Sequence, residues 1–402
     1  MRARKVDQGA ARAMNRRLIL DELRREGPMS RTRIAQQTSL SAASITIVTS
    51  DLLAEGLLIE HPELARQLPR HPVPLGINYA GHHAIGMKLL ETEIQAVLTD
   101  LALNVVDQIR VPLDGPTPDH VVAAARVACD HLRLTQRDPL TPLIGVGLAM
   151  AGIIDTARGV CVVSHRAGWH HVPFGDLLRA NLGVPVWIDN DANAFATAER
   201  LVGRARQAID FVVVTLGRGI GAAIVLNGQV YRTPRGGAGE LGHVLTEPGG
   251  RPCECGLRGC LQAYVSSPDL VAQFNDAYPD VGVRQVEELL ALLDASDDRP
   301  LPILQDAGRR LGEALANLTD LLDPELIIIG GEGVVVGDAL LSAMQAAFQA
   351  RHLPDAWQPD VLVDRWSDDA WGRGAAGLVV EHFFEGSLSW AVPPRPPHLP
   401  PR

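Results

Sequence analysis

Between residues 14 and 26 the apolar positions Leu18, Ile19 and Leu23 fall on one face of a 3.6-residue period, and Gly27-Pro28 ends the pattern. The spacing predicts a first helix over 14–26. Ser30 predicts the cap of a short second helix carrying Ile34 and Ala35. Thr38-Ser39-Leu40 reads as a turn, and Ser41 as the cap of a third helix with Ile45, Val48, Leu52 and Leu53 facing inward. Beyond Gly56 the runs at 57–60 and 72–79 read as two strands flanking a loop that bears Arg66 and Arg70. Three helices and a two-stranded wing make a winged helix-turn-helix.

From about residue 73 the pattern changes to alternating strands and helices. Apolar runs at 143–152, 211–216 and 325–331 read as buried strands, and 119–132 and 309–323 as helices, which defines an α/β body of two similar lobes. A chain of 402 residues exceeds what one core organises, so several domains are expected. The expected organisation is a flexible start over 1–13, a DNA-binding winged helix over 14–72, a two-lobed body over 73–385 and a tail over 386–402. The tail is proline-dense, lacks the donors that helices and ladders need, and is expected to be disordered.

Charge adds a direction. The chain carries a net charge of −10, yet residues 1–70 hold twelve basic against eight acidic side chains, so a basic head precedes an acidic body. That asymmetry suits a nucleic-acid-binding head on a ligand-binding domain. The third helix presents Ala42, Ala43, Ser44 and Thr46 near its start, slim enough to enter a major groove, and Arg66 and Arg70 are placed for phosphate or the minor groove. The basic N-terminus is followed by no apolar stretch, and no eighteen uncharged apolar residues run together, so a cytoplasmic location is expected.

Three of the five cysteines lie within eight residues, in the pattern His243-x9-Cys253-x-Cys255-x4-Cys260. Zinc takes four soft or borderline ligands in a tetrahedron, and a Cys-x-Cys turn with a glycine-rich reversal and a distant His supplies them from one knuckle. One structural zinc per chain is expected, while Cys129 and Cys161 read as inert core thiols.

The winged helix, the segment VSHRAGWHHVPFGDLL, the run DNDANA, GRGIGAAIVLNG, GELGH and CECGLRGCLQAYVS together resemble the ROK family of repressors and sugar kinases, over about residues 14–383. The resemblance implies an actin-like ATPase fold of two lobes with a sugar cleft between them and a zinc ion shaping one wall. It implies sugar hydroxyls held by Asn190, Asp191, Glu240 and His243, and by position 262, where this chain has Gln262 in place of the family's Glu. In the family's kinases the aspartate of DNDAN is also the general base, here Asp191. Their first phosphate loop, Asp-x-Gly-Gly-Thr, is matched to Asn78-Tyr79-Ala80-Gly81-His82, and the second to Gly217-Arg218-Gly219. Both are poorly suited to a metal-bound nucleotide. Gly330-Gly331 marks the adenine side. The chain is therefore expected to be a non-catalytic, sugar-responsive transcriptional regulator, a repressor of carbohydrate genes that binds operator DNA as a homodimer or homotetramer. An ATP-dependent sugar kinase with degenerate phosphate loops is the alternative.

Overall fold

The computed structural model describes residues 8–65, 72–135, 140–351, 353–364 and 369–385, so Arg66, Arg70, the first seven residues and the tail from 386 lie outside it. The chain forms two compact units, one from residues 1–81 and 380–402 and the other from 82–379.

The first unit contains α1 (Gln8–Glu26), α2 (Arg31–Thr38), α3 (Ala42–Ala54), β1 (Leu58–Glu60), α4 (Pro62–Ala65) and β2 (Leu75–Ile77). Helix α1 begins at Gln8, six residues before its apolar pattern, and buries Ile19, Leu20 and Leu23, whereas Leu18 is 39% exposed. The caps fall where the sequence places them. Ser30 Oγ accepts from Arg33 N at 3.3 Å, and Ser41 Oγ from Ser44 N at 3.1 Å. Ser39 adopts a left-handed φ of 57° in the turn between α2 and α3. Ile45, Val48, Thr49 and Leu52 bury the inner face of α3. β1 and β2 pair antiparallel as the wing, with β2 inside the 72–79 run that the sequence pattern reads as its second strand.

The second unit repeats one design twice. Its first lobe holds β3 (His83–Leu89), β4 (Glu93–Thr99), β5 (Val105–Pro112), α5 (Pro118–Leu134), β6 (Leu143–Met150), β7 (Ile153–Asp155), β8 (Val160–Ser164), β9 (Trp169–Val172), α6 (Phe174–Leu182) and β10 (Val186–Asn190). The main sheet runs β5-β4-β3-β6-β10, with antiparallel pairs on the β5 side and parallel pairs on the β10 side. Helix α7 (Asp191–Leu201) leads to the second lobe, made of β11 (Phe211–Leu216), β12 (Ile220–Leu226), β13 (Gln229–Val230), α8 (Gln262–Val265), α9 (Ser267–Ala277), α10 (Val286–Asp294), α11 (Leu301–Leu322), β14 (Leu326–Gly330), α12 (Gly337–Arg351) and β15 (Asp360–Val363). Here the sheet order is β13-β12-β11-β14-β15, with the same antiparallel and parallel halves. Helix α13 (Ala370–Phe384) closes the body.

Each lobe has its own core. Met87, Leu98, Val121, Leu148, Phe174 and Ile188 fill the first, and Val214, Leu261, Phe274, Leu311, Ile327 and Phe348 the second. Residues 332–351 are apolar and long enough to resemble a membrane span, yet Leu340, Met344 and Phe348 are buried in the second core. Gly308 and Gly312 make that packing possible: a Cβ at either would lie 2.2 Å from a carbonyl oxygen of α12, Leu340 or Met344. The two backbones meet because these positions carry no side chain.

Candidate functional site

The sheets of the second unit enclose a cleft of about 940 Å³, lined from the first lobe by the β3–β4 turn and the end of β10, and from the second by the β11–β12 turn and the Cys-rich knuckle. The junction of β10 and α7 delivers the first polar pair. Asp189, 1% exposed, fixes this junction by accepting from Asn190 N at 2.7 Å, Arg232 Nε at 2.7 Å, Asn193 Nδ2 at 2.9 Å and Thr156 Oγ1 at 3.1 Å. Asn190 caps α7, accepting from Ala192 N at 2.9 Å and donating to Gly152 O at 3.1 Å, which leaves one N–H and one lone pair toward the cleft. Asp191 accepts from Ala192 N at 2.9 Å through Oδ1, and its Oδ2 is ion-paired with Lys88.

Glu240 and His243 enter from the second lobe in a short turn, with Glu240 Oε2 3.8 Å from His243 Nε2. Burial and the neighbouring Asp191 push the Glu240 carboxyl above its ordinary range. Burial pushes His243 down, against the pull of Glu254, so the ring is neutral with a lone pair available. The four polar side chains that the resemblance assigned to a sugar, Asn190, Asp191, Glu240 and His243, all line this one cleft. Gln262 lines it too, but is 4% exposed and already engaged. Its Nε2 donates to Glu254 Oε1 at 2.7 Å, and its Oε1 accepts from Ile220 N at 3.4 Å.

The knuckle brings His243, Cys253, Cys255 and Cys260 together with all four ligand atoms within 4.8 Å of one another. Cys255 Sγ lies 3.8 Å from Cys260 Sγ, and Cys253 Sγ 3.7 Å from His243 Nδ1. These separations are too long for a disulfide and match the edge, about 3.8 Å, of a tetrahedron with metal–sulfur bonds of about 2.3 Å. Burial pushes the Cys253 thiol up to about 12. A bound cation would bring these sulfurs to the thiolate form that ligation requires. Because Nδ1 faces the sulfurs, Nε2 remains on the cleft side. Cys129 and Cys161 are buried elsewhere, and burial pushes the Cys161 thiol up to about 11.

The other half of the cleft corrects the sequence reading. Residues 78–82 do not line it, and Asn78 instead donates from Nδ2 to Gly56 O at 2.9 Å within the first unit. The first-lobe hairpin enters the cleft at Lys88-Leu89-Leu90-Glu91-Thr92. Set beside the motif Asp-x-Gly-Gly-Thr, this turn shares only Thr92, with Lys88 at the aspartate position and Leu90 and Glu91 at those of the glycines. No glycine survived to mark the loop in the sequence.

The second loop holds an anion of the chain's own. Glu332 Oε1 accepts from Arg218 N at 2.9 Å, and a Cβ at Gly217 would lie 2.0 Å from that oxygen, so the glycine makes room for a carboxylate. Glu332 Oε2 accepts from Trp371 Nε1 at 3.3 Å. The Arg218 guanidinium spans the lobes to Glu91 at 3.0 Å and reaches Glu254 at 3.5 Å, while Arg166 completes a ring to Glu254 at 3.1 Å and Glu91 at 3.4 Å. Glu254, between two cysteines of the knuckle, is thus a cleft residue. Burial pushes its carboxyl up, but Arg166, the Gln262 amide and Arg218 outweigh this and hold it below the usual range.

A winged helix-turn-helix, a doubled lobe enclosing a polar cleft and a Cys3His cluster on the cleft wall together define a ligand-responsive DNA-binding regulator built on a sugar-kinase-like body. The chain belongs to the ROK family, whose model matches residues 84–382, and to its transcriptional-regulator branch. It is 26% identical over 383 residues to the xylose repressor of Bacillus spizizenii, covering 94% of this chain and 98% of the relative. A crystal structure of a ROK family transcriptional regulator, homologous to the E. coli MLC protein, superposes with a TM-score of 0.83 at 25% identity, covering 94% of this chain and 97% of the other. A glucokinase of Halalkalibacterium halodurans is 31% identical over 284 residues, but covers only 67% of this chain and 86% of its own length.

Proposed function

We propose that this protein is a non-catalytic, sugar-responsive transcriptional repressor in which the cleft binds a neutral sugar and the winged helix binds operator DNA. One observation supports the reading: Asn190, Asp191, Glu240 and His243 converge on one part of the cleft, while Lys88, Glu91, Arg218 and Glu332 occupy the turns that the resemblance would give to a nucleotide. Asn190, Asp191, Glu240 and His243 supply the donors and acceptors that vicinal hydroxyls require. Gln262 acts through Glu254 rather than on the sugar. His243, Cys253, Cys255 and Cys260 hold one structural zinc, which fixes the His243 ring while its Nε2 faces the ligand. On the DNA side, Ala42, Ala43, Ser44 and Thr46 of α3 enter the major groove. Two copies reading half-sites about 10 bp or a multiple apart fit the symmetry of such regulators, with a homodimer or homotetramer as the acting form in the cytoplasm. Sugar releases the operator, as in an inducible repressor.

The test is a thermal-shift screen of the zinc-loaded chain against D-xylose, D-glucose, N-acetylglucosamine and their phosphates. A ligand at a hundred times its Kd adds about 2.7 kcal/mol of stability. The hit is then added to operator titrations of the native chain and of Asp191→Ala. The native operator affinity is expected to fall about 5-fold to 150-fold with sugar. The variant is expected to bind operator normally and ignore the sugar. No stabilisation by any monosaccharide or sugar phosphate would remove the sugar from this reading.

A further inference from the structure

Helix α3 contains no Arg, Lys, Asn, Gln or His, the side chains that make bidentate contacts to guanine or adenine edges. Its outward face has one large side chain. Ile47 is 58% exposed, whereas Ile45 and Val48 beside it are 1% and 4% exposed, so Ile47 contributes nothing to the core of the head. A single exposed isoleucine is ordinary on a protein surface. At 47 it occupies the outer face of the helix that a winged helix-turn-helix lays in the major groove.

The hydroxyls of Ser44 and Thr46 are turned back onto the helix. Thr46 Oγ1 donates to Ala42 O at 2.9 Å, and Ser44 Oγ is hydrogen-bonded to Ser41 Oγ at 2.9 Å as part of the cap. What Thr46 leaves for a partner is chiefly its methyl. In the major groove the one apolar feature of a base edge is the C5-methyl of thymine.

We infer that α3 reads sequence through thymine methyl groups, with Ile47 as the principal specificity-determining residue. This rests on the DNA-binding reading and adds to it the base that is recognised. The half-site carries thymine opposite Ile47, and α3 makes no bidentate guanine contact.

The experiment begins with selection of a random duplex library by the full zinc-loaded chain. The enriched duplex is then resynthesised with deoxyuridine replacing thymidine one position at a time, which deletes only the methyl. Native protein is expected to lose about 4-fold in affinity at one symmetry-related position per half-site, the equivalent of ~0.8 kcal/mol for one buried methyl-sized group. Ile47→Ala, a substitution at an exposed site with a better helix former, is expected to fold like the native chain and bind the thymidine and deoxyuridine duplexes equally. Restoring the methyl as 5-methylcytosine paired with guanine should recover part of the native affinity relative to cytosine and none of the variant's. Equal binding of both duplexes by native protein at every position would overturn the inference, as would full discrimination by Ile47→Ala. Failure to enrich any duplex would instead sink the DNA-binding reading on which it stands.

Discussion

The Lys88 ammonium is ion-paired with the Asp191 carboxylate across 103 positions of sequence, and it lies 4.2 Å from the centroid of the Trp371 ring. The side chains are 6% and 16% exposed, so neither charge has much water to fall back on. Lys88→Met should therefore leave Asp191 uncompensated and cost about 2 kcal/mol, somewhat less than a fully buried pair. The double variant Lys88→Met/Asp191→Asn should recover most of that loss in urea denaturation, because the orphaned charge goes with its partner.

The same pair bears on phosphoryl transfer. A base for a sugar hydroxyl takes its proton on a carboxylate oxygen, and in this chain Asp191 Oδ2 is held by the Lys88 ammonium. With Glu332 in the second phosphate loop as well, an ADP-release assay with Mg-ATP and common hexoses should show no turnover near the ~10 per second of a typical enzyme. Activity at that level would return the chain to the kinases.

Elemental analysis should find one zinc per chain. Chelation, or Cys255→Ser, should lower the thermal midpoint by roughly 5–10 °C, as a loss of a few kcal/mol does in a body of this size. It should also weaken any sugar found by the screen, because His243 sits in the metal cluster and in the cleft.

Glu199 provides a pH test away from both sites. Its side chain is buried in α7, accepting from Arg204 N at 2.8 Å, and burial pushes its carboxyl up, with the Arg204 N–H opposing. The folded chain therefore holds this proton to a higher pH than the unfolded chain does. Stability from this group is lost as pH rises from the ordinary carboxylate value through the raised one. Glu199→Gln can still accept from Arg204 N, and should be more stable than the native chain at neutral pH. The advantage should vanish below about pH 4, where the native carboxyl is protonated in both states. Urea denaturation across pH 3.5–7.5 would show either this convergence or parallel curves, and parallel curves would refute the assignment.

What was readable in the chain was local. Ser30, Ser39 and Ser41 announce caps and a turn because their partners lie within a few residues, and the knuckle and the DNDAN run are contiguous. The apolar periods reveal the lobes for the same reason. The cleft turn over 88–92 carries no glycine that would mark it in the sequence, whereas Ala80-Gly81 lies in a stretch that does not line the cleft. Glu254, Arg166 and Glu332 carry no local sequence signal, for a different reason. Their roles rest on partners 88 and 114 positions away, Arg166 to Glu254 and Arg218 to Glu332, which no window of sequence brings together. Ile47 looks in the sequence like any apolar residue of an apolar helix, and its exposure follows only once the buried face is assigned to Ile45, Val48 and Leu52.

Glu332 has a consequence for what the cell can tell this protein. The turn at Gly217-Arg218 is closed by a carboxylate of the chain itself, which accepts from Arg218 N and from Trp371 Nε1. The cleft that in a kinase answers to fuel and sugar together here has one open question left, the carbohydrate. On the proposed reading, transcription under its control follows nutrient supply, and operator binding is expected to be the same with and without added ATP or ADP.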